Sequence, residues 1–73
     1  MKVELLMTMG CHLCEDAEII VRRALPQAVI EHVDIAESDV EVVRYGTRIP
    51  VLRVNGKELD WPFSLLDVRS AVS

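Results

Sequence analysis

The first 35 residues read as strand, helix, strand, and that order leaves a 73-residue chain few folds to choose from. K-V-E-L-L-M-T, Lys2 to Thr8, partly alternates. Val3, Leu5 and Met7 fall on one face and Leu6 on the other, the pattern of a strand covered on both sides. Gly10 then lets the chain turn. From Leu13 the apolar residues Leu13, Ala17, Ile20, Val21 and Ala24 recur at helical spacing. Pro26 cannot continue that helix and disfavours helical geometry at Leu25, so the helix is expected to end there. A-V-I-E-H-V-D-I, Ala28 to Ile35, is rich in β-branched residues and reads as a second strand. Its Glu31, His32 and Asp34 point to a partly solvated edge. Two strands joined in this way form a parallel unit with a right-handed crossover.

The second half adds a hairpin and two helices. S-D-V-E, Ser38 to Glu41, has capping-box form, a hydroxyl followed three residues later by a carboxylate. The short helix it opens is expected to stop at Gly46, in the left-handed conformation that helix ends favour. P-V-L-R-V and K-E-L-D flank Asn55-Gly56, the strongest short hairpin signal. P-F-S-L-L-D-V-R-S-A-V reads as a terminal helix starting between Trp61 and Ser64, with Leu65, Val68 and Val72 on one face. The order is β-α-β-α-β-β-α: an α/β fold with a four-stranded mixed sheet and three helices. No repeat or linker interrupts it, so residues 1–73 form one domain. A chain this short buries only about 60% of its unfolded surface, and its core must be efficient. With one Trp, one Tyr and one Phe, that core is built from Val, Ile, Leu and Ala.

Charge narrows the function classes. The formal net charge is −4 and the eight Lys and Arg are scattered, which offers nucleic acid no phosphate-neutralising face. M-K-V-E-L-L-M carries Glu4 inside a very short apolar run, neither a signal-peptide core nor a membrane span. The expected compartment is the cytoplasm, and the expected state a monomer without membrane partners.

T-M-G-C-H-L-C-E-D-A-E, Thr8 to Glu18, holds both cysteines. Four readings compete. As a staple, a Cys11–Cys14 bridge ties almost nothing together, because the entropic benefit of a cross-link grows with loop length. As a zinc site it lacks ligands: a closed site wants four, and beyond the two cysteines there are only His12 and His32. Two inert buried thiols fit poorly with a helix N-terminus, which is partly exposed. A reversible dithiol fits best. Unpaired backbone N–H groups and the positive end of the helix dipole stabilise a thiolate at Cys11. Cys14, about one turn further in, can attack a mixed disulfide and release the substrate. A cysteine pair of this spacing beside a β-α-β pattern is a redox signature. His12 is either a cation that favours thiolate or an ordinary exposed residue. Glu15, Asp16 and Glu18 suit the dipole but repel a thiolate, so the Cys11 pKa is expected to be lowered without being extreme.

C-H-L-C together with R-I-P-V resembles the thioredoxin superfamily, more closely the small glutaredoxin-like proteins than thioredoxin itself. C-H-L-C-x-x-A, R-Y-G-x-R-I-P-V-L and L-D-W-P-F are similar to a bacterial glutaredoxin-like family, and the resemblance covers nearly the whole chain. It implies a thioredoxin-like fold and a thiol–disulfide oxidoreductase, with Cys11 attacking and Cys14 resolving. It also implies a cis Pro50 against the dithiol and an Ile49 backbone offered to an extended substrate, as an added strand would be paired. Protein or small-molecule disulfides and thiols are the implied partners. The departures bear on glutathione. C-P-Y-C of glutaredoxins is C-H-L-C here, Met9 and Gly10 stand where a Lys would precede the pair, and D-W-P-F replaces the Gly-Gly-x-x-Asp grip. Glutathione is thus expected as reductant or substrate at most, with no resident cofactor or metal. Arg48 is a candidate for holding a substrate carboxylate or a plain solvated charge, and Trp61 is expected as a hydrophobic plug. Two rivals stand beside the oxidoreductase: an iron–sulfur carrier bridging a cluster through Cys11 and glutathione, and an interaction module with a vestigial dithiol.

Overall fold

Strand β1 (Lys2–Met7) lies in the middle of the sheet. A computed structural model describes all residues, 1–73. After β1 come helix α1 (His12–Ala24), strand β2 (Val29–Asp34), a 3-10 turn (Ile35–Glu37) and helix α2 (Asp39–Tyr45). Strands β3 (Val51–Val54) and β4 (Lys57–Asp60) and helix α3 (Leu65–Val72) complete the chain. The sheet order is β2-β1-β3-β4. β2 runs parallel to β1, from Lys2 opposite Val29 to Met7 opposite Asp34. β3 is antiparallel to β1, with Leu6 opposite Val51, and β4 is antiparallel to β3. The expected mixed sheet and its three helices are present, and β2 is an edge.

Consecutive strand side chains point to opposite faces, so one central strand feeds two cores. Val3 and Leu5 pack with Leu52 and Val54 beneath α1 and α3, which contribute Ala17, Val21, Val68 and Ala71. Leu6 and Val51 face the other way, against Ile35 and Tyr45. Burying one such aliphatic side chain stabilises the fold by about 1.5–3 kcal/mol, and here Leu5, Leu6 and Leu52 are all fully buried. β1 is therefore covered on both faces, as its sequence indicates, with Lys2 and Glu4 sharing the Leu6 face toward its solvated end.

Three local expectations are corrected. Leu13, placed on the apolar face of α1, is 51% exposed, and the buried stripe starts at Cys14 instead. Gly46 ends α2 in right-handed geometry, at φ −53° and ψ −33°. The turn keeps winding because the Arg48 and Ile49 N–H groups both donate to the Tyr45 carbonyl. Glycine is needed there for space: a Cβ would lie 2.5 Å from the Val42 carbonyl oxygen. At Ser38 only half a capping box forms, since its Oγ accepts from the Glu41 N–H at 3.4 Å while the Glu41 carboxylate faces Arg53. The complete box belongs to Ser64 and Asp67, at 3.1 and 2.9 Å, and it sets the start of α3. Asn55 and Gly56 do turn the hairpin, both at positive φ.

Candidate active site

Helix α1 is capped by a cysteine. Cys11 has extended backbone geometry, and its Sγ accepts a hydrogen bond from the Cys14 N–H at 3.1 Å. A cap of this kind satisfies one of the helix's orphan donors. It also places the sulfur where negative charge is favoured. Gly10, at φ +75°, makes the turn that delivers Cys11 from β1 to the cap. The cysteine Cα atoms are 5.2 Å apart and the sulfurs are at disulfide distance. Cys11 is half-buried, whereas Cys14 is 4% exposed beneath the first turn.

The dithiol stands between two different flanks. On the β3 side, Leu6 faces Val51, so one step further Pro50 comes level with Met7 at the end of β1. The Ile49–Pro50 bond is cis and Pro50 is fully buried. The Ile49 N–H donates to the Tyr45 carbonyl at 3.1 Å. The Pro50 carbonyl accepts from the Trp61 N–H at 3.2 Å. D-W-P-F thereby extends the β3–β4 ladder by one step, and the Trp61–Pro62 bond within it is also cis. Trp61 is half-buried, with its ring 5.1 Å from Phe63 in an edge-to-face contact against the core.

Arg48 is brought to this flank with its guanidinium already bonded. It donates to both oxygens of Asp60, at 2.9 and 3.4 Å, and to Glu58 at 3.0 Å. Its carbon lies 5.0 Å from the centroid of the Tyr45 ring. The hydrogen bonds to Asp60 and then Glu58 push its pKa further up. Tyr45 donates to Glu58 at 2.7 Å. This bond raises the phenol's pKa and, with the bond from Arg48, holds the Glu58 carboxyl below its ordinary range. His12 points outward, 96% exposed, with its nearest carboxylate that of Glu15 at 3.9 Å.

The β2 flank holds a cleft of about 120 Å³ whose walls include Met7, Met9, Cys11, Cys14, Glu18 and His32. Glu18 follows Cys14 by one helical turn and shares its face. Its carboxylate bonds His32 at 2.7 Å and Arg22 at 2.9 Å. Burial pushes the Glu18 pKa up, but these two bonds outweigh it and leave it below the ordinary value. The i,i+4 spacing of Cys14 and Glu18 was legible in the sequence. The partner His32 was not, because only the parallel register brings it beside Leu5 at the cleft. No three His, Cys, Asp or Glu side chains gather at metal-ligand spacing. No helix is long and apolar enough to cross a membrane.

Comparison with known proteins gives a consistent picture. Residues 2–73 match the model of a family described as a glutaredoxin-like domain (DUF836). The X-ray structure of the Northeast Structural Genomics target protein XcR50 from X. campestris is similar, with a TM-score of 0.82 and 32% identity, covering 96% of this chain and 93% of that one. The solution structure of the same target gives a TM-score of 0.78 and 33% identity, over 99% of this chain and 92% of that one. No curated protein matches the sequence.

Proposed function

Since this chain belongs to the glutaredoxin-like domain family (DUF836), we propose that it is a thiol–disulfide oxidoreductase working through Cys11 and Cys14. The observation that carries this reading is the Cys11 sulfur at the N-cap of α1, accepting a backbone N–H, with the Cys14 sulfur at disulfide distance behind it. A thiolate at Cys11 keeps that hydrogen bond and gains from the helix dipole. It attacks one sulfur of a substrate disulfide; a Cys11–substrate S–S bond forms and the other substrate half leaves as a thiolate. Cys14 then gives up its proton to solvent and attacks Cys11, and the second substrate thiolate departs. Two electrons pass from the dithiol to the substrate. Burial suits Cys14 to resolving, since a thiol under the first turn meets Cys11 but not a bulky substrate. The Ile49 carbonyl beside the buried Pro50 offers one backbone acceptor to an extended substrate, in the manner of an added strand. Protein or small-molecule disulfides are the substrate class.

The test is capture. Reduced Cys14→Ser protein, mixed with a neutral aromatic disulfide, should accumulate one stable mixed disulfide at residue 11, seen as a single adduct by intact mass. Cys11→Ser should give none on the same timescale. Adduct formation by Cys11→Ser alone, or by neither variant, overturns the proposal.

A further inference from the structure

Charge around the dithiol is lopsided. Ten residues line the cleft beside it; none is Lys or Arg, whereas Glu15 and Glu18 both are among them. Glu18 shares its charge with Arg22 and His32. Glu15 does not: it is 70% exposed, and its single ion-pair contact is the outward-pointing His12 at 3.9 Å. Asp16, the next residue, is exposed and lies outside every ion pair. On the opposite flank the one guanidinium next to Ile49 and Pro50 is that of Arg48, and Asp60 and Glu58 occupy it. Arg44 and Arg53 are drawn to the Tyr45 ring, each 5.6 Å from its centroid. An anion entering the cleft beside Cys11 therefore meets the unneutralised Glu15 carboxylate and no Lys or Arg among the lining residues. A cation meets the reverse, beside the thioethers of Met7 and Met9, which suit an aliphatic stem.

We infer that the preferred substrates are disulfides carrying positive charge a few bonds from the sulfur, with the cationic arm in the cleft between Met9 and Glu15. The inference rests on the thiol–disulfide reading and adds the substrate's charge to it. The chemistry is unchanged: the Cys11 thiolate breaks the substrate S–S bond, Cys14 closes the protein disulfide, and a cationic disulfide leaves as two cationic thiols. No further reductant enters a single turnover, because the reduced protein supplies both electrons. Anionic disulfides, glutathione disulfide among them, are disfavoured on the same ground.

The test is a single-turnover comparison. Pre-reduced, desalted protein is mixed with cystamine (cationic), hydroxyethyl disulfide (neutral) or glutathione disulfide (anionic), then acid-quenched and read by mass. Each rate is divided by that of dithiothreitol with the same disulfide, which cancels leaving-group differences. Surface fields are screened beyond a Debye length, about 30 Å at 0.01 M salt and about 3 Å at 1 M. The normalised cystamine-to-glutathione-disulfide ratio is expected at about 10-fold or more at low salt, and close to one at about 1 M. Glu15→Gln should shrink the low-salt ratio and Glu15→Lys should shrink it further. Both changes are at an exposed position, and circular dichroism checks their fold. A lysine-flanked peptide disulfide, run against the same peptide with glutamates, extends the comparison from small aminothiols to a protein strand. A low-salt ratio at or below one, or one that ignores salt and Glu15, overturns the inference while reaction with hydroxyethyl disulfide leaves the redox reading intact. Failure to react with all three disulfides overturns both.

Discussion

Cys11 and Cys14 share one helical turn yet meet different surroundings, and their reactivity should differ accordingly. Cys11 is partly open at the cap; Cys14 is covered. Limiting iodoacetamide added to the reduced protein should carbamidomethylate Cys11 first, as peptide mass mapping reads directly. Preferential labelling of Cys14 would exchange the two roles. The second residue-scale unit is Tyr45, Arg48 and Glu58. Hydrogen bonds from Tyr45 and then Arg48 depress the Glu58 pKa below its ordinary 4.5. A depressed carboxyl contributes stability that is fully present above the unfolded pKa and is lost as pH falls through the folded one. Wild-type melting temperatures should therefore fall on acidification below about pH 4.5. Tyr45→Phe removes the largest cause of the depression and should flatten that acid limb relative to its own neutral-pH value. An acid limb as steep as wild type would mean that other carboxyls set it.

Capping shows what local sequence can and cannot settle about an element. Ser38-x-x-Glu41 and Ser64-x-x-Asp67 look alike on paper, yet only the second closes both bonds. Glu41 is drawn off by Arg53 on β3, a tertiary partner that no local pattern reveals. Ser64→Ala should cost about 1 kcal/mol in urea unfolding, the usual worth of a side-chain cap. Ser38→Ala, which loses one longer bond of 3.4 Å, should cost less. Equal losses would contradict the geometry. Gly46 offers a test of sign. Its right-handed backbone would ordinarily let Ala stabilise the chain by about 0.4–1 kcal/mol. The Val42 carbonyl stands where the new methyl would go, so Gly46→Ala should destabilise instead, by more than that gain. Elements were legible wherever periodicity or a turn dipeptide wrote them: β1, α1, the Asn55-Gly56 hairpin and the edge character of β2. The cleft was half legible, since Cys14 and Glu18 share a helix face while His32 arrives through strand register. The ladder step from Trp61 to Pro50 had no local signal, because it depends on β3 lying beside β4.

Across the whole molecule, stability rests on two thin cores sharing one sheet. Leu52 is fully buried under α1 and α3, on a strand between two others. Leu52→Ala should cost about 2–5 kcal/mol, a large share of the roughly 5–15 kcal/mol that keeps a domain folded. The urea midpoint should fall sharply with little change in slope. A loss under 1 kcal/mol would mean that the helices close over the gap. Central placement of β1 has one more consequence. The strand that ends at the dithiol is gripped on both edges by β2 and β3, and the redox ring spans only Cys11 to Cys14. No hinge or long lever connects that ring to the rest of the body. Amide chemical shifts in the reduced and oxidised proteins should differ around Thr8 to Glu18 and hardly at all in β4 or α3. The oxidation state is thus private information, legible to a molecule that touches the lip of the sheet and silent to one that reads the far side.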